Sequence, residues 1–159
     1  MPMSGVILPQ GETLRRALDS DLDEVHRVRT AVTENRLTTT VVTRADYLDA
    51  IGPSGRGWVV EKDGRIAAFA IALRSNWSIW ALFVDPPFEG RGYGTVLLDT
   101  AVDWLWSRGA SRIWLNTERG TRAEGFYRCR GWTETGQNEH GEVLFERRRV
   151  ISDEPRRPV

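Results

Sequence analysis

Val84-Asp85-Pro86-Pro87-Phe88-Glu89-Gly90-Arg91-Gly92-Tyr93-Gly94-Thr95-Val96-Leu97-Leu98 reads as a strand end, a tight turn, a glycine-rich loop and the first turns of an apolar-faced helix. Glycines at 90, 92 and 94 let the backbone turn sharply and let a ligand come close to bare N–H groups. The helix that follows leaves its first amides without internal partners and carries partial positive charge at that end. Together these make an anion site, most naturally for a phosphate or pyrophosphate. A dinucleotide fingerprint would need a third glycine at 95, where the chain has Thr95. A P-loop would need Gly-Lys-Ser/Thr, and the only lysine is Lys62.

On either side of this stretch the chain is ordered enough to read. Thr13–Ala17 fits an edge strand, and Ser20-Asp-Leu-Asp23 opens a helix with Leu22, Val25, Val28 and Val32 at helical spacing. Thr43-Arg-Ala-Asp46 starts a second, short helix that ends at Gly52-Pro53. Strands over 58–62 and 65–73 flank Asp63-Gly64, a strong hairpin signal, and Ser75-Asn76 turns the chain into a third strand over 77–84. The strand before the glycine loop thus arrives by hairpins, which argues against a Rossmann βαβ unit. A helix follows from about Gly92 to Arg108, then a strand over 111–115 parallel to its predecessor. Thr121-Arg-Ala-Glu124 opens a helix to about Arg130, and strands near 132–135 and 142–149 close the domain. The expectation is α+β, one domain over 13–150, with a flexible N-terminus at 1–12 and a flexible tail at 151–159.

Composition agrees with one soluble domain. The 159 residues are 40% apolar and 28% charged, with 22 basic and 22 acidic side chains and no net charge. That balance gives no reason to expect a nucleic-acid or membrane surface. No apolar run approaches the roughly 20 residues of a membrane span. The N-terminus lacks a signal-peptide pattern, and Cys129 is the single cysteine, so a cytoplasmic setting without disulfides is expected. Arginine outnumbers lysine 21 to 1, and the seven tryptophans would sit in the core or at an interface. A homodimer through an exposed Trp106 or the late strands is left open.

The glycine loop with its upstream Val-Asp-Pro and downstream Leu-Leu resembles the acyl-CoA-binding motif of the GNAT family of N-acetyltransferases, Gln/Arg-x-x-Gly-x-Gly/Ala. The motif falls on Glu89, Gly92 and Gly94, and Phe126-Tyr127-Arg-Cys-Arg-Gly131-Trp132 resembles the family's late aromatic segment. The resemblance covers about Trp58 to Arg148 and, more loosely, the chain from Thr13. It implies a mixed, mostly antiparallel sheet flanked by helices, with two central parallel strands that splay apart and hold acetyl-CoA as co-substrate. Leu82, Phe83 and Val84 would then pair with the pantetheine arm, and the amides of Gly90, Arg91, Gly92, Tyr93, Gly94 and Thr95 would hold the pyrophosphate. Arg91 and Thr95 would add side-chain donors, and Asn116 would meet pantetheine or substrate.

The implied reaction transfers acetyl to a primary amine of a small molecule or peptide by direct attack in a ternary complex, without a metal. Tyr127 would protonate the leaving thiolate, with a backbone N–H near Phe83 or Val84 polarising the carbonyl. Glu34, Glu118 and His26 are candidates for the base, Glu34 first. Glu89 departs from the family's Gln/Arg and would sit unfavourably beside a pyrophosphate. The alternatives are a catalytically silent acyl-CoA-binding regulatory module and a nucleotide-binding α/β protein; Tyr127 and the complete glycine loop favour an enzyme.

Overall fold

The computed structural model describes residues 5–32 and 42–150. Two short strands open the chain, β1 (Val6–Ile7) and β2 (Thr13–Arg16), followed by helices α1 (Leu22–Ala31) and α2 (Arg44–Ile51). Three antiparallel strands come next, β3 (Gly55–Lys62), β4 (Arg65–Leu73) and β5 (Ser78–Val84). Then come α3 (Tyr93–Ser107), β6 (Arg112–Thr117), α4 (Arg122–Cys129), β7 (Thr133–Gln137) and β8 (Val143–Arg148). The eight strands form one sheet in the order β1-β2-β3-β4-β5-β6-β8-β7. It is antiparallel except where β5 meets β6. The expected α+β class and element order hold from β2 onward.

Differences from the sequence reading are local. Val6 and Ile7 pair with Leu14 and Thr13, so β2 is not the edge of the sheet. Strand β3 begins at Gly55, three residues before the apolar run, because its pairing with Leu73 carries it outward. Trp106 is buried, at 6% exposure, and offers no dimer surface. The expected tail at 151–159 and the base candidate Glu34 lie outside the described residues. Among those residues no helix is long and apolar enough to cross a membrane.

Two apolar layers hold the sheet. Leu97, Leu98, Ala101 and Leu105, the stripe of α3, are fully buried with Val60, Ala68, Ile113, Leu115 and Phe145 on one face. On the other, Val25 and Val28 of α1 and Tyr47 and Ile51 of α2 cover Val59, Phe69 and Ile71. Asp63 and Gly64 take positive φ (53° and 77°), as the tight β3–β4 turn requires.

The geometry that matters for function is in β5. Ile71 pairs with Ala81 but Ala72 with Ile79, leaving Trp80 as an extra, bulged residue. The bulge turns two successive side chains to one face: Trp80 and Ala81 both lie with α1 and α2, while Ile79 and Leu82 lie with α3. Beyond it β5 and β6 separate. Their ladder consists of Ser78 opposite Trp114, with Trp114 N–H donating to the Trp77 carbonyl at 3.1 Å. From there β6 pairs only with β8, so the last turns of β5 border a wedge. A charged tie fixes the wedge's lip: Arg27 of α1 donates to the buried Asp85 carboxylate at 2.9 Å and to the Ile66 carbonyl at 3.1 Å.

Candidate active site

Asp85 N–H donates to the Ala67 carbonyl of β4 at 2.8 Å. Antiparallel alternation then directs the backbone groups of Phe83 to β4 as well, and those of Leu82 and Val84 into the wedge. Leu82 and Val84 are thus the residues whose main-chain groups no described strand pairs on the wedge side, and Phe83 contributes its ring. This refines the expectation that all three present their backbone.

At the open end of the wedge α3 begins. Gly92 is its N-cap at φ 84°, a conformation that disfavours any side chain, and no side chain caps the helix. The first helical bond runs from Val96 N–H to the Gly92 carbonyl at 3.2 Å, so the amides of Tyr93, Gly94 and Thr95 precede it. The helix has no acidic residue in its first turn. Helices α2 and α4, by contrast, are each closed by a threonine cap, Thr43 on Asp46 N–H and Thr121 on Glu124 N–H. Of the three, α3 is the one whose amides remain available to an anion from outside.

Two cavities meet in the wedge. One, of about 470 Å³, is bounded by Leu82–Val84, Glu89–Thr95 and the α4 residues Arg122, Ala123, Phe126 and Tyr127. The other, of about 610 Å³, lies between α1 and α2 on one side and β6, α4 and the β7–β8 turn on the other. They share Leu82, Phe83, Ala123 and Tyr127. A molecule in the first cavity and one in the second would therefore touch across those four residues.

Tyr127 stands at this junction, 6% exposed and edge-on to Phe126 and Trp132. Burial pushes its phenol well above the ordinary value, so the hydroxyl is protonated at any neutral pH. The ring is thus packed on its aromatic neighbours while the residue lines both cavities.

The sequence and the fold have counterparts among known proteins. The acetyltransferase (GNAT) family profile matches residues 20–132. The chain belongs to the GNAT family. It is 32% identical over 146 residues to the chloroplastic GCN5-related N-acetyltransferase 1 of Arabidopsis thaliana, covering 88% of this chain and 71% of that one. It is 37% identical over 82 residues to mycothiol acetyltransferase of Beutenbergia cavernae, and 36% over 63 to the ribosomal protein bS18-alanine N-acetyltransferase of Salmonella typhimurium. Those matches cover 48% and 38% of this chain but span only 28% and 43% of the two relatives. The PaiA N-acetyltransferase of Thermoplasma acidophilum, solved in complex with coenzyme A, superposes with a TM-score of 0.73 at 14% identity, covering 87% of this chain and 99% of that one. At that identity the likeness speaks for the fold.

In this GNAT domain the residues expected to bind the cofactor divide. Leu82, Phe83, Val84, Gly90, Arg91, Gly92, Tyr93, Gly94 and Thr95 all line the glycine-loop cavity. Tyr93 is itself only 2% exposed, and its hydroxyl donates to the buried Glu12. That bond holds the Glu12 carboxyl below its ordinary range, while burial and then the carboxylate push the phenol up. Asn116 lies in the larger cavity instead, its amide donating to Glu142 at 3.0 Å.

The fold gives Glu89 a partner. Its carboxylate is paired with Arg122 in the first turn of α4, which offsets its charge at the loop. Arg91, Arg122 and Arg130 rim the same cavity, a cationic border suited to phosphates. Of the base candidates, Glu118 lines neither cavity, and its carbonyl accepts from the Thr121 hydroxyl. His26 Nδ1 lies 3.1 Å from the Tyr47 hydroxyl, outside both cavities.

Sequence reasoning missed Glu142. It lines the larger cavity beside Asn116, and its Oε1 accepts from the Asn116 and Asn138 amides at 3.0 and 2.9 Å. Nothing local to Glu142 marks it; the pairing of Val143 with Thr117 brings it to the end of β6.

Proposed function

We propose that this domain transfers an acetyl group from acetyl-CoA to a primary amine, by direct attack within a ternary complex. The observation that carries the reading is the junction of two cavities at Leu82, Phe83, Ala123 and Tyr127, one of them headed by the uncapped start of α3. Acetyl-CoA occupies the glycine-loop side. Its pyrophosphate takes the amides of Gly90–Thr95, and its pantetheine arm takes the free backbone groups of Leu82 and Val84 as an added strand would. Arg91, Arg122 and Arg130 answer the remaining phosphate charge. Those residues fit the cofactor's chemistry: anion donors at one end, an open strand edge along the wedge and an apolar junction for the thioester.

The acceptor enters from the larger cavity. An alkyl ammonium is neutral in only about 1 in 10³ molecules at pH 7, a deficit of roughly 4–5 kcal/mol. Glu142 supplies the carboxylate that removes this proton, directly or through one water. The amine lone pair then attacks the thioester carbon, with a wedge-facing amide of Leu82 or Val84 polarising the oxygen. The C–N bond forms, the C–S bond breaks, and its electron pair leaves on sulfur. Tyr127 passes its hydroxyl proton to that sulfur. Because burial makes a free phenolate costly, the transfer accompanies C–S cleavage, and the second proton of the attacking nitrogen restores the phenol.

The test of the reading is acetyl-CoA consumption by the purified protein over polyamines, amino acids, aminoglycosides and peptide N-termini. Amine-dependent release of free CoA supports it. A protein that binds acetyl-CoA and turns over with no amine contradicts it. The assignment of Glu142 has its own signature. In Glu142→Gln, kcat should fall about 10²-fold at pH 7 and recover as the pH nears the amine's own value of about 10. A deficit equal at pH 7 and 9.5 would make Glu142 structural.

A further inference from the structure

Among the described residues, Arg29 is a cation without a counter-ion in the larger cavity. It extends from the last turn of α1 into that cavity. Its guanidinium carbon lies 5.1 Å from the centre of the Phe83 ring and 5.7 Å from that of Trp80. Its Nη1 is buried with no hydrogen-bond partner, and among the described residues it makes no ion pair. The neighbouring arginine of α1 is treated quite differently: Arg27, two residues earlier, is paired with both Glu24 and Asp85. Burial without a partner lowers the Arg29 guanidinium from its ordinary value.

The aromatic faces stabilise a cation but leave its in-plane N–H donors unmade. A half-buried guanidinium with an orphan donor is costly unless something arrives to complete it. The same cavity presents carboxylates elsewhere, on Asp46, Asp49 and Glu142, and none of them is bonded to Arg29. Asp46 is engaged by the Thr43 N–H, Asp49 by the Ser54 hydroxyl and Glu142 by Asn116 and Asn138. The cavity therefore offers both signs of charge at separate places. Phe83 is shared with the cofactor cavity, so Arg29 sits one aromatic ring from the point of acetyl transfer.

Resting on the acetyl-transfer reading above, we propose that the acceptor is a zwitterion, an amine bearing a carboxylate within two or three bonds of its nitrogen, as in a free α-amino acid. The ammonium is drawn by the cavity's carboxylates, and the acceptor's carboxylate forms the ion pair that Arg29 lacks among the described residues. A polyamine brings a second cation to this place and is disfavoured. A peptide N-terminus brings only a neutral carbonyl, which satisfies the donor without offsetting the charge.

Each common α-amino acid is compared with its carboxamide, in the wild type and in Arg29→Met and Arg29→Lys. The readouts are kcat/KM for acetylation and, on the CoA-saturated protein, equilibrium binding by calorimetry. A charge-assisted hydrogen bond contributes about 1.5–3 kcal/mol, so the acid-to-amide ratio should be about 10–100 in the wild type and collapse by at least tenfold in Arg29→Met. Arg29→Lys, which keeps the charge and loses the fork, should fall between. Retained affinity of the variants for acetyl-CoA establishes that they are folded. Turnover with equal use of acid and amide, or a ratio that survives Arg29→Met, overturns the proposal and leaves acetyl transfer standing. A binding preference for the acid, lost in Arg29→Met and accompanied by no turnover, supports it and removes the catalytic reading instead.

Discussion

Tyr127 and Glu89 each make a prediction of their own kind. Tyr127 is packed against Phe126, Trp132 and Phe145, so Tyr127→Phe keeps the ring's contacts and removes only the proton donor. We expect kcat to fall about 10²–10⁴-fold, the range for a positioned acid. Affinity for acetyl-CoA should change far less, by the ~1 kcal/mol of one hydrogen bond. Because burial raises the phenol, it should impose no alkaline loss of kcat below pH 10. A Phe variant with more than half the wild-type kcat, chemistry being rate-limiting, removes the phenol from the mechanism. Glu89 tests the cationic rim. Its pairing with Arg122 holds that side chain back, and Glu89→Gln releases it toward the phosphates. Titration of acetyl-CoA should show equal or tighter binding, the gain fading as salt screens it. A tenfold loss would mean that the ion pair itself shapes the site. The sequence alone showed that a carboxylate stood at a place for Gln or Arg; that it has an arginine to hold depends on α4 folding back, 33 residues on.

Among the elements, the glycine loop and α3 allow the sharpest substitution. Gly92 sits at φ 84°, where any side chain is strained, so a Val there would confound binding with stability. Gly94 is better placed. A Cβ there would lie 3.7 Å from Phe126 and 3.8 Å from Val84, ordinary contact distances, on the side where β5 and α4 enclose the cofactor cavity. Gly94→Val should therefore abolish calorimetrically detectable acetyl-CoA binding while thermal unfolding stays cooperative. Undiminished affinity in that folded variant moves the cofactor elsewhere. The elements that the sequence disclosed are those set by local rules: the Asp63–Gly64 hairpin, the threonine caps of α2 and α4, and the apolar stripe of α3. What stayed hidden is set by partners far along the chain. The two residues of β1 are 59% and 77% exposed, so no burial pattern marks them. The bulge at Trp80 adds one residue to a strand whose apolar run looks the same with or without it.

For the whole molecule, the sheet does one thing that no single element does: it parts. Pairing between β5 and β6 ends at Ser78 and Trp114, α3 closes one mouth of the gap, and α1 with α2 walls the other. The parting of parallel strands was foreseen from the family resemblance, whereas the charge distribution of the larger cavity was not. Arg29, Asp46, Asp49 and Glu142 come from three separate stretches of chain, and only the closed fold sets them around one space. The chain shares its fold with the GNAT family, and the charges around the larger cavity are this chain's own residues. The most direct measurement is a crystal structure of the protein with acetyl-CoA. The account predicts the pyrophosphate on the Gly90–Thr95 amides, the pantetheine along Leu82 and Val84, and the thioester sulfur within hydrogen-bond reach of the Tyr127 hydroxyl. Acetyl-CoA seated in the α1–α2 cavity, or with its sulfur remote from Tyr127, would contradict it.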